Sequence, residues 1–292
     1  MTKRIDISDI NKLRSYSSIF SSTSFQRLLK FDDYSFIDSK VERYDKNRIG
    51  KSIFTYYDYI RYIYNSLRKQ YKNEYIYKNT IINELLIKQY GLKNSVIINE
   101  FRVSNSIADI VMFNGTSKAF EIKTELDSDK RLNNQLSDYS TIFKESYIVT
   151  HESLIDKYLK TDSKYGVIGL IETSRSLKLQ EIRPAKINTT INSTILMKSL
   201  RTNEYKSIVN QYFRNPPPMN SFNMYDICDE LMAQIPDSEL NILFIEQLKQ
   251  RKTNTLQLKS FYKELRQIAL SMNLTEKLYN DLYIKLDKPI TI

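Results

Sequence analysis

Apolar residues along this chain follow two periods, and the change between them divides it. Over 53–71 they recur three or four positions apart, at Ile53, Tyr56, Tyr57, Ile60, Ile63, Tyr64, Leu67 and Tyr71. That spacing is one face of an amphipathic helix, with Tyr59, Arg61, Tyr62, Arg68 and Lys69 on the other side. Ser52 stands where an N-cap belongs. A second helix follows over 74–90, ended by Gly91, and Glu84 lies on its stripe between Ile81 and Leu85. The period then shortens to two. Residues 95–103, 107–113 and 119–124 read as strands, with the Asn114-Gly115 hairpin signal between the last two. Asp127 or Ser128 caps a helix running to about residue 144, with the stripe Leu132, Leu136, Tyr139 and Phe143. Strands over 147–150, 165–171 and 177–182, and a helix over 152–160, complete this block. The strand–helix–strand unit over 119–150 implies a right-handed crossover and a mixed sheet. After Pro184 the helical period returns over 190–214 and 237–288, broken by Pro216-Pro217-Pro218, a semi-rigid connector.

The expected fold class is therefore α/β (α+β): a mixed sheet flanked by helices, with N- and C-terminal helical extensions. The layout has three parts, a basic, tyrosine-rich helical region over 1–79, a sheet-bearing core over 80–187 and a helical region over 188–292. Before residue 50 the pattern is mixed, and short helices and loops are expected.

Charge sharpens this layout. The net charge is +10. Residues 1–80 carry 16 Lys/Arg against 9 Asp/Glu, residues 81–187 carry 15 against 14, and residues 188–292 carry 13 against 11. The excess sits at the N-terminal end, together with 11 of the 22 tyrosines. Basic residues interleaved with tyrosine suit a polyanion, phosphates meeting the cations and bases the rings. The bland reading of the inner-face tyrosines is that they fill the core.

Several function classes drop out. No uncharged apolar stretch approaches the ~18–20 residues of a membrane span. Met1-Thr2-Lys3-Arg4-Ile5-Asp6 lacks the apolar core of a signal peptide. The single cysteine, Cys228, reads as a small buried hydrophobe in a reducing compartment, so the cytoplasm is expected. His151 is the only histidine, which excludes histidine-rich metal sites and two-histidine nuclease chemistry, and it reads as a helix-start residue. No zinc site fits. Gly50-Lys51-Ser52 ends like a phosphate-binding loop, but Asp45 stands where that loop needs its first glycine.

The candidate chemistry lies in the two central strands. Asp109 is in the first. In the second, Glu121 and Lys123 alternate with Ile122 and so share a face. Two carboxylates and the backbone carbonyl of Ile122 are hard oxygen donors suited to Mg²⁺ or Mn²⁺, and Glu84 can add a ligand or a water contact. Such an ion activates water and stabilises charge on a phosphoryl group, and Lys123 would orient the water or neutralise the transition state. The plain alternative is a salt bridge between Glu121 and Lys123 at a sheet end.

The order of these residues carries a resemblance. A helix with Glu84, a strand with Asp109, a strand with Glu121-Ile122-Lys123 and a helix with Gln135 and Tyr139 together resemble the PD-(D/E)xK nuclease superfamily, the restriction-endonuclease-like fold. The Gln-x-x-x-Tyr element is similar to that of RecB-type and phage lambda-type exonucleases. Asn73-Glu74-Tyr75, Lys78-Asn79, Ile107 to Val111, Asn114-Gly115, Arg131-Leu132, Gln135 and Tyr139 are similar to an uncharacterised bacterial family of stand-alone nuclease-like proteins. The resemblance spans roughly 72–185. It implies that Asp109 and Glu121 are the metal carboxylates and Lys123 the catalytic lysine. It also implies that Glu84 is the helical acid, with Glu74 its rival, that Gln135 orients the site and that Tyr139 packs beneath it. Ala108 stands where the motif's proline would be.

The expected activity is an Mg²⁺- or Mn²⁺-dependent deoxyribonuclease, with RNA as the other substrate. By family association its role is defence against foreign DNA or mobile-element biology. It needs no organic cofactor. Two other classes remain. One is a non-catalytic nucleic-acid-binding protein on the same fold. The other is an interaction protein whose C-terminal helices form a homodimer or bind a partner.

Overall fold

Six strands share one sheet in the computed structural model, which describes residues 7–93, 95–173, 176–251 and 256–291. The residues of the signal-peptide reading, 1–6, lie outside these. Helices precede, interrupt and follow the strands, which makes this a mixed α/β protein. Among the described residues no helix is long and apolar enough to cross a membrane.

The chain forms two compact units. One comprises Glu84–Lys252. Its strands are β1 (Val96–Val103), β2 (Ser106–Phe113), β3 (Ser117–Lys123), β4 (Glu145–His151), β5 (Gly166–Glu172) and β6 (Leu177–Arg183). They lie side by side in chain order. β1–β2, β2–β3 and β5–β6 are antiparallel, whereas β3–β4 and β4–β5 are parallel. The parallel β3–β4 pair is the consequence expected of the strand–helix–strand unit.

The β2–β3 turn is wider than a two-residue hairpin. Phe113 pairs with Ser117, which leaves Asn114, Gly115 and Thr116 as the loop, and Gly115 takes φ +100°. The helix Leu132–Tyr139 begins later and ends earlier than its apolar stripe suggests. Asp127 does not cap it. Its carboxylate accepts from the N–H and hydroxyl of Thr124 and closes a turn instead. Phe143 still joins the core, beyond the helix end.

One sheet face carries that helix and the helices Ser193–Ser199, Thr202–Phe213, Met224–Met232 and Asp237–Lys249. Ala119, Val111 and Phe113 meet Leu136, Tyr139, Phe143 and Phe244 there. Cys228 is buried in the same core. The opposite face holds a cavity of about 330 Å³, bounded by Phe120, Tyr147, Ile168 and Leu179 of the strands and by Leu85 and Tyr90 of the preceding helix.

The second unit comprises Met1–Asn83 and Thr253–Ile292. This departs from the three-part layout: 188–252 packs with the sheet, while 253–292 belongs with the N-terminal helices. Polar contacts stitch the latter together. Tyr75 donates to the Glu264 carbonyl (2.6 Å), Asn79 donates to the Lys263 carbonyl (2.8 Å), and the Gln267 N–H returns to Asn79 (3.0 Å). No local pattern at either chain end signals such long-range partners.

The helix Tyr56–Gln70 buries Tyr56, Ile60, Ile63, Tyr64 and Leu67, as its period requires. Two details differ. Thr55, not Ser52, caps it, because Thr55 and Asp58 satisfy each other's backbone N–H groups reciprocally. Gly50 at φ +76° closes a turn onto the Ile53 carbonyl just before it. Tyr59, placed by its spacing on the outer side, is fully buried, because its hydroxyl reaches the buried Asp45. The next helix passes from Glu74–Ile81 into a wider π-helical stretch, Ile82–Tyr90, and ends at Gly91 with φ +77°.

Candidate active site

The sheet forks where the candidate residues lie. The β2–β3 ladder ends at Ile110 opposite Phe120. Beyond that point β2 skips a pair at Asp109, rejoins β1 at Ala108 and stays paired with it as far as Ser106, and β3 stays paired with β4 as far as Lys123. The two inner strands therefore part while each keeps its outer neighbour. Asp109 and Glu121 are the first residues past the fork. The Ile122 N–H faces the gap, and the Asp109 carboxylate accepts it at 2.8 Å. A strand residue directs its N–H and C=O to the same edge, so the Ile122 carbonyl opens into the same fork.

Alternation puts Glu121 and Lys123 on the face covered by the helix Leu132–Tyr139. The Lys123 ammonium donates to Glu121 Oε1 (2.9 Å) and to Gln135 Oε1 (3.2 Å). The Tyr139 hydroxyl reaches both Glu121 Oε2 (2.7 Å) and the Ile107 carbonyl (2.8 Å). Gln135 and Tyr139 are four apart, one turn of the same helix, so one element fixes both ends of the Glu121–Lys123 pair. Glu121 is 2% exposed and Lys123 7%. Ions so buried persist only when paired and hydrogen-bonded, which these are. Burial, then the charge of Glu121 and its hydrogen bond, then the charge of Asp109, hold the Tyr139 hydroxyl far above its ordinary range. That shift favours the protonated hydroxyl, the form that can donate to Glu121.

The helical acids each have a lysine partner of their own. Glu84 is ion-paired with Lys88 (2.5 Å), one turn along its own helix. Its rival Glu74 pairs with Lys78 in the same way, in the other unit. Among the described residues no three carboxylate, histidine or cysteine side chains form a group that could hold a metal ion. The oxygens gathered at the fork are the two carboxylates of Asp109 and Glu121 and the Ile122 carbonyl.

Thr150 was not singled out by the sequence. It is fully buried, pairs with Lys123 across β3–β4, and donates its hydroxyl to the Lys123 carbonyl at 2.8 Å. Only the register of the parallel pair reveals it. Beyond it, His151 starts a short helical turn, its Nδ1 accepting the Ser153 N–H (3.2 Å), as a helix-start residue does.

Comparison with known proteins adds a lineage. The family model described as bacteriophage P4 protein cII matches residues 67–278, which includes every residue of the fork. Protein cII of Enterobacteria phage P4 is 32% identical over 132 residues, 44% of this chain. The match takes in 50% of that relative, so the chain spans about half the length of the curated protein it matches. Among solved structures, a protein of unknown function from Silicibacter pomeroyi aligns over 49% of this chain and 92% of its own. Its identity is 13% and its TM-score 0.32.

Proposed function

The chain belongs to the bacteriophage P4 protein cII family, and we propose, from its own residues rather than from that membership, that its sheet-bearing unit is a metal-dependent nuclease hydrolysing phosphodiester bonds in DNA. The carrying observation is the fork. Asp109, Glu121, Lys123 and Gln135 come from two strands and a helix, yet converge on one place through contacts of 2.8–3.2 Å. The order of these residues resembles the PD-(D/E)xK pattern, and we extend that reading to this protein.

The donor set fits a hard divalent ion. Asp109, Glu121 and the Ile122 carbonyl would hold Mg²⁺ or Mn²⁺, with water completing the shell. Such an ion supplies an acidified water and neutralises charge on the phosphoryl oxygens. The electrostatics favour this. Two carboxylates and one ammonium sum to −1, which repels a phosphodiester, and a divalent ion reverses the sign. Lys123 orients the attacking water or faces the developing negative charge. Gln135 holds the Lys123 ammonium in place, and Tyr139 holds Glu121 with one oxygen turned towards Lys123. Glu84 contributes only if its carboxylate leaves Lys88. The compartment we propose is the cytoplasm, where the lone Cys228 stays reduced, and the role defence against foreign DNA.

One observation favours a second reading, a nucleic-acid-binding protein without turnover. Lys123 and Glu121 already complete one another as a buried pair, which a purely structural role would also produce. The discriminating experiment incubates the purified protein with linear, circular and single-stranded DNA and with RNA, with Mg²⁺, with Mn²⁺ or with EDTA. Metal-dependent cleavage of DNA is expected. Binding without cleavage under every condition transfers the assignment to the second reading, and cleavage of RNA alone changes the substrate.

A further inference from the structure

In the N-terminal unit one carboxylate is asked to hold two cations. Asp45 is 2% exposed. Its inner oxygen, Oδ2, accepts the hydroxyls of Tyr16 (2.5 Å) and Tyr59 (2.9 Å), both deep in the core. Its outer oxygen, Oδ1, faces Lys12 Nζ, Arg48 Nε and the Tyr62 hydroxyl, each at 3.4 Å. Charge-assisted bonds normally close to about 2.7–2.9 Å. The inner contacts are that short and the outer ones are not, so the carboxylate is committed inward while two cations ride loosely above it. One negative charge against two positive leaves +1 at the surface, with Lys12 30% and Arg48 50% exposed.

Rings interleave with these cations. Arg48 lies over Tyr62 (4.8 Å), while Lys12 (5.7 Å) and Arg43 (5.2 Å) lie over Tyr44. Tyr44 and Tyr62 are half-buried, and Arg43 is exposed. The stretch also holds part of the N-terminal charge excess.

We propose that Lys12, Arg43 and Arg48, with Tyr44 and Tyr62, form a binding surface for single-stranded nucleic acid above the buried Asp45. Phosphate oxygens replace the long Oδ1 contacts of Lys12 and Arg48. Unstacked bases lie on the tyrosine rings and the guanidinium groups between them. A duplex offers phosphates but no free base faces, so the interleaved rings favour a single strand. This rests on the nucleic-acid reading above, but not on hydrolysis, and Tyr59, although its spacing puts it on the outer side of its helix, is buried and takes no part.

The test is fluorescence anisotropy of the full chain with a labelled oligo-dT, with EDTA present so that cleavage plays no part. Lys12→Gln with Arg48→Gln is expected to weaken binding about tenfold at low salt, and the log–log salt slope to fall by about 1.4, at ~0.7 per single-strand contact. Arg43→Gln lies outside the Asp45 contacts and keeps the test open if the double variant misfolds; a loss of about threefold is expected. Asp45→Asn removes the competing charge while retaining an acceptor, and the folded variant is expected to bind at least as tightly as wild type. Unchanged affinity in both Gln variants overturns the proposal. So does a tenfold loss in folded Asp45→Asn, which makes the cluster structural, and so does tighter binding of a duplex or of heparin than of oligo-dT. Binding without metal-dependent cleavage leaves this inference standing and removes the nuclease, and cleavage without these effects does the reverse.

Discussion

Tyr139 sets the geometry of Glu121 from within the core, and its hydroxyl meets the Ile107 carbonyl as well. Replacing it by Phe removes one buried donor and leaves Glu121 Oε2 without it. The expected cost is about 1–3 kcal/mol, the penalty for an unsatisfied buried acceptor. Denaturant unfolding reads that loss, and a change within ±0.5 kcal/mol contradicts the buried bond. The same residue shows what a period can disclose. Tyr139 and Gln135 were legible as a pair because four residues is one helical turn. Asp109, Glu121 and Lys123 were legible because strand parity fixes which side chains share a face. Tyr59 was misread by the same logic. Its spacing puts it off the apolar stripe, but a buried carboxylate fourteen positions earlier draws it inward, and no local pattern encodes that partner.

Among the elements, β4 and β5 approach through a glycine. A Cβ on Gly166 would stand 2.3 Å from the Tyr147 ring and 2.9 Å from the Ala185 backbone nitrogen. Gly166→Ala is therefore expected to destabilise the protein by about 1–3 kcal/mol through overpacking. Thermal unfolding checks this, and an unchanged midpoint refutes the close approach. The strands themselves were legible to within a residue or two, because alternation is a local property. The fork was not. Where β2 leaves β3 depends on which outer neighbour each strand keeps, and that is settled by pairings outside both strands. Helix ends were shifted for a related reason. Thr55 with Asp58 outcompetes Ser52, and Asp127 spends its carboxylate on Thr124, so the capping residue is decided by which side chain finds a second partner.

At the scale of the whole chain, residues 84–252 carry the sheet with its own core, and 253–292 belong to the N-terminal unit. A fragment spanning 84–252 is expected to fold by itself, whereas truncation after residue 252 is expected to unfold the N-terminal unit and spare the sheet. Circular dichroism and limited proteolysis of the two fragments separate these outcomes, and cooperative loss of the sheet on truncation contradicts the division. The helical character of the C-terminal region was legible in the sequence, but its partition between two units was not, because the partners of Lys263, Glu264 and Gln267 lie some 180–190 residues earlier. The central claim concerns the fork, and Asp109→Asn tests it most directly. Asparagine keeps an oxygen to accept the Ile122 N–H, so the fold is preserved while one metal carboxylate is lost. Wild type is expected to cut DNA with Mg²⁺ or Mn²⁺ and not with EDTA, and the folded Asp109→Asn protein to lose at least about a hundredfold of that rate, the scale of losing an electrostatic stabiliser in the transition state. Cleavage by Asp109→Asn at the wild-type rate would contradict the claim.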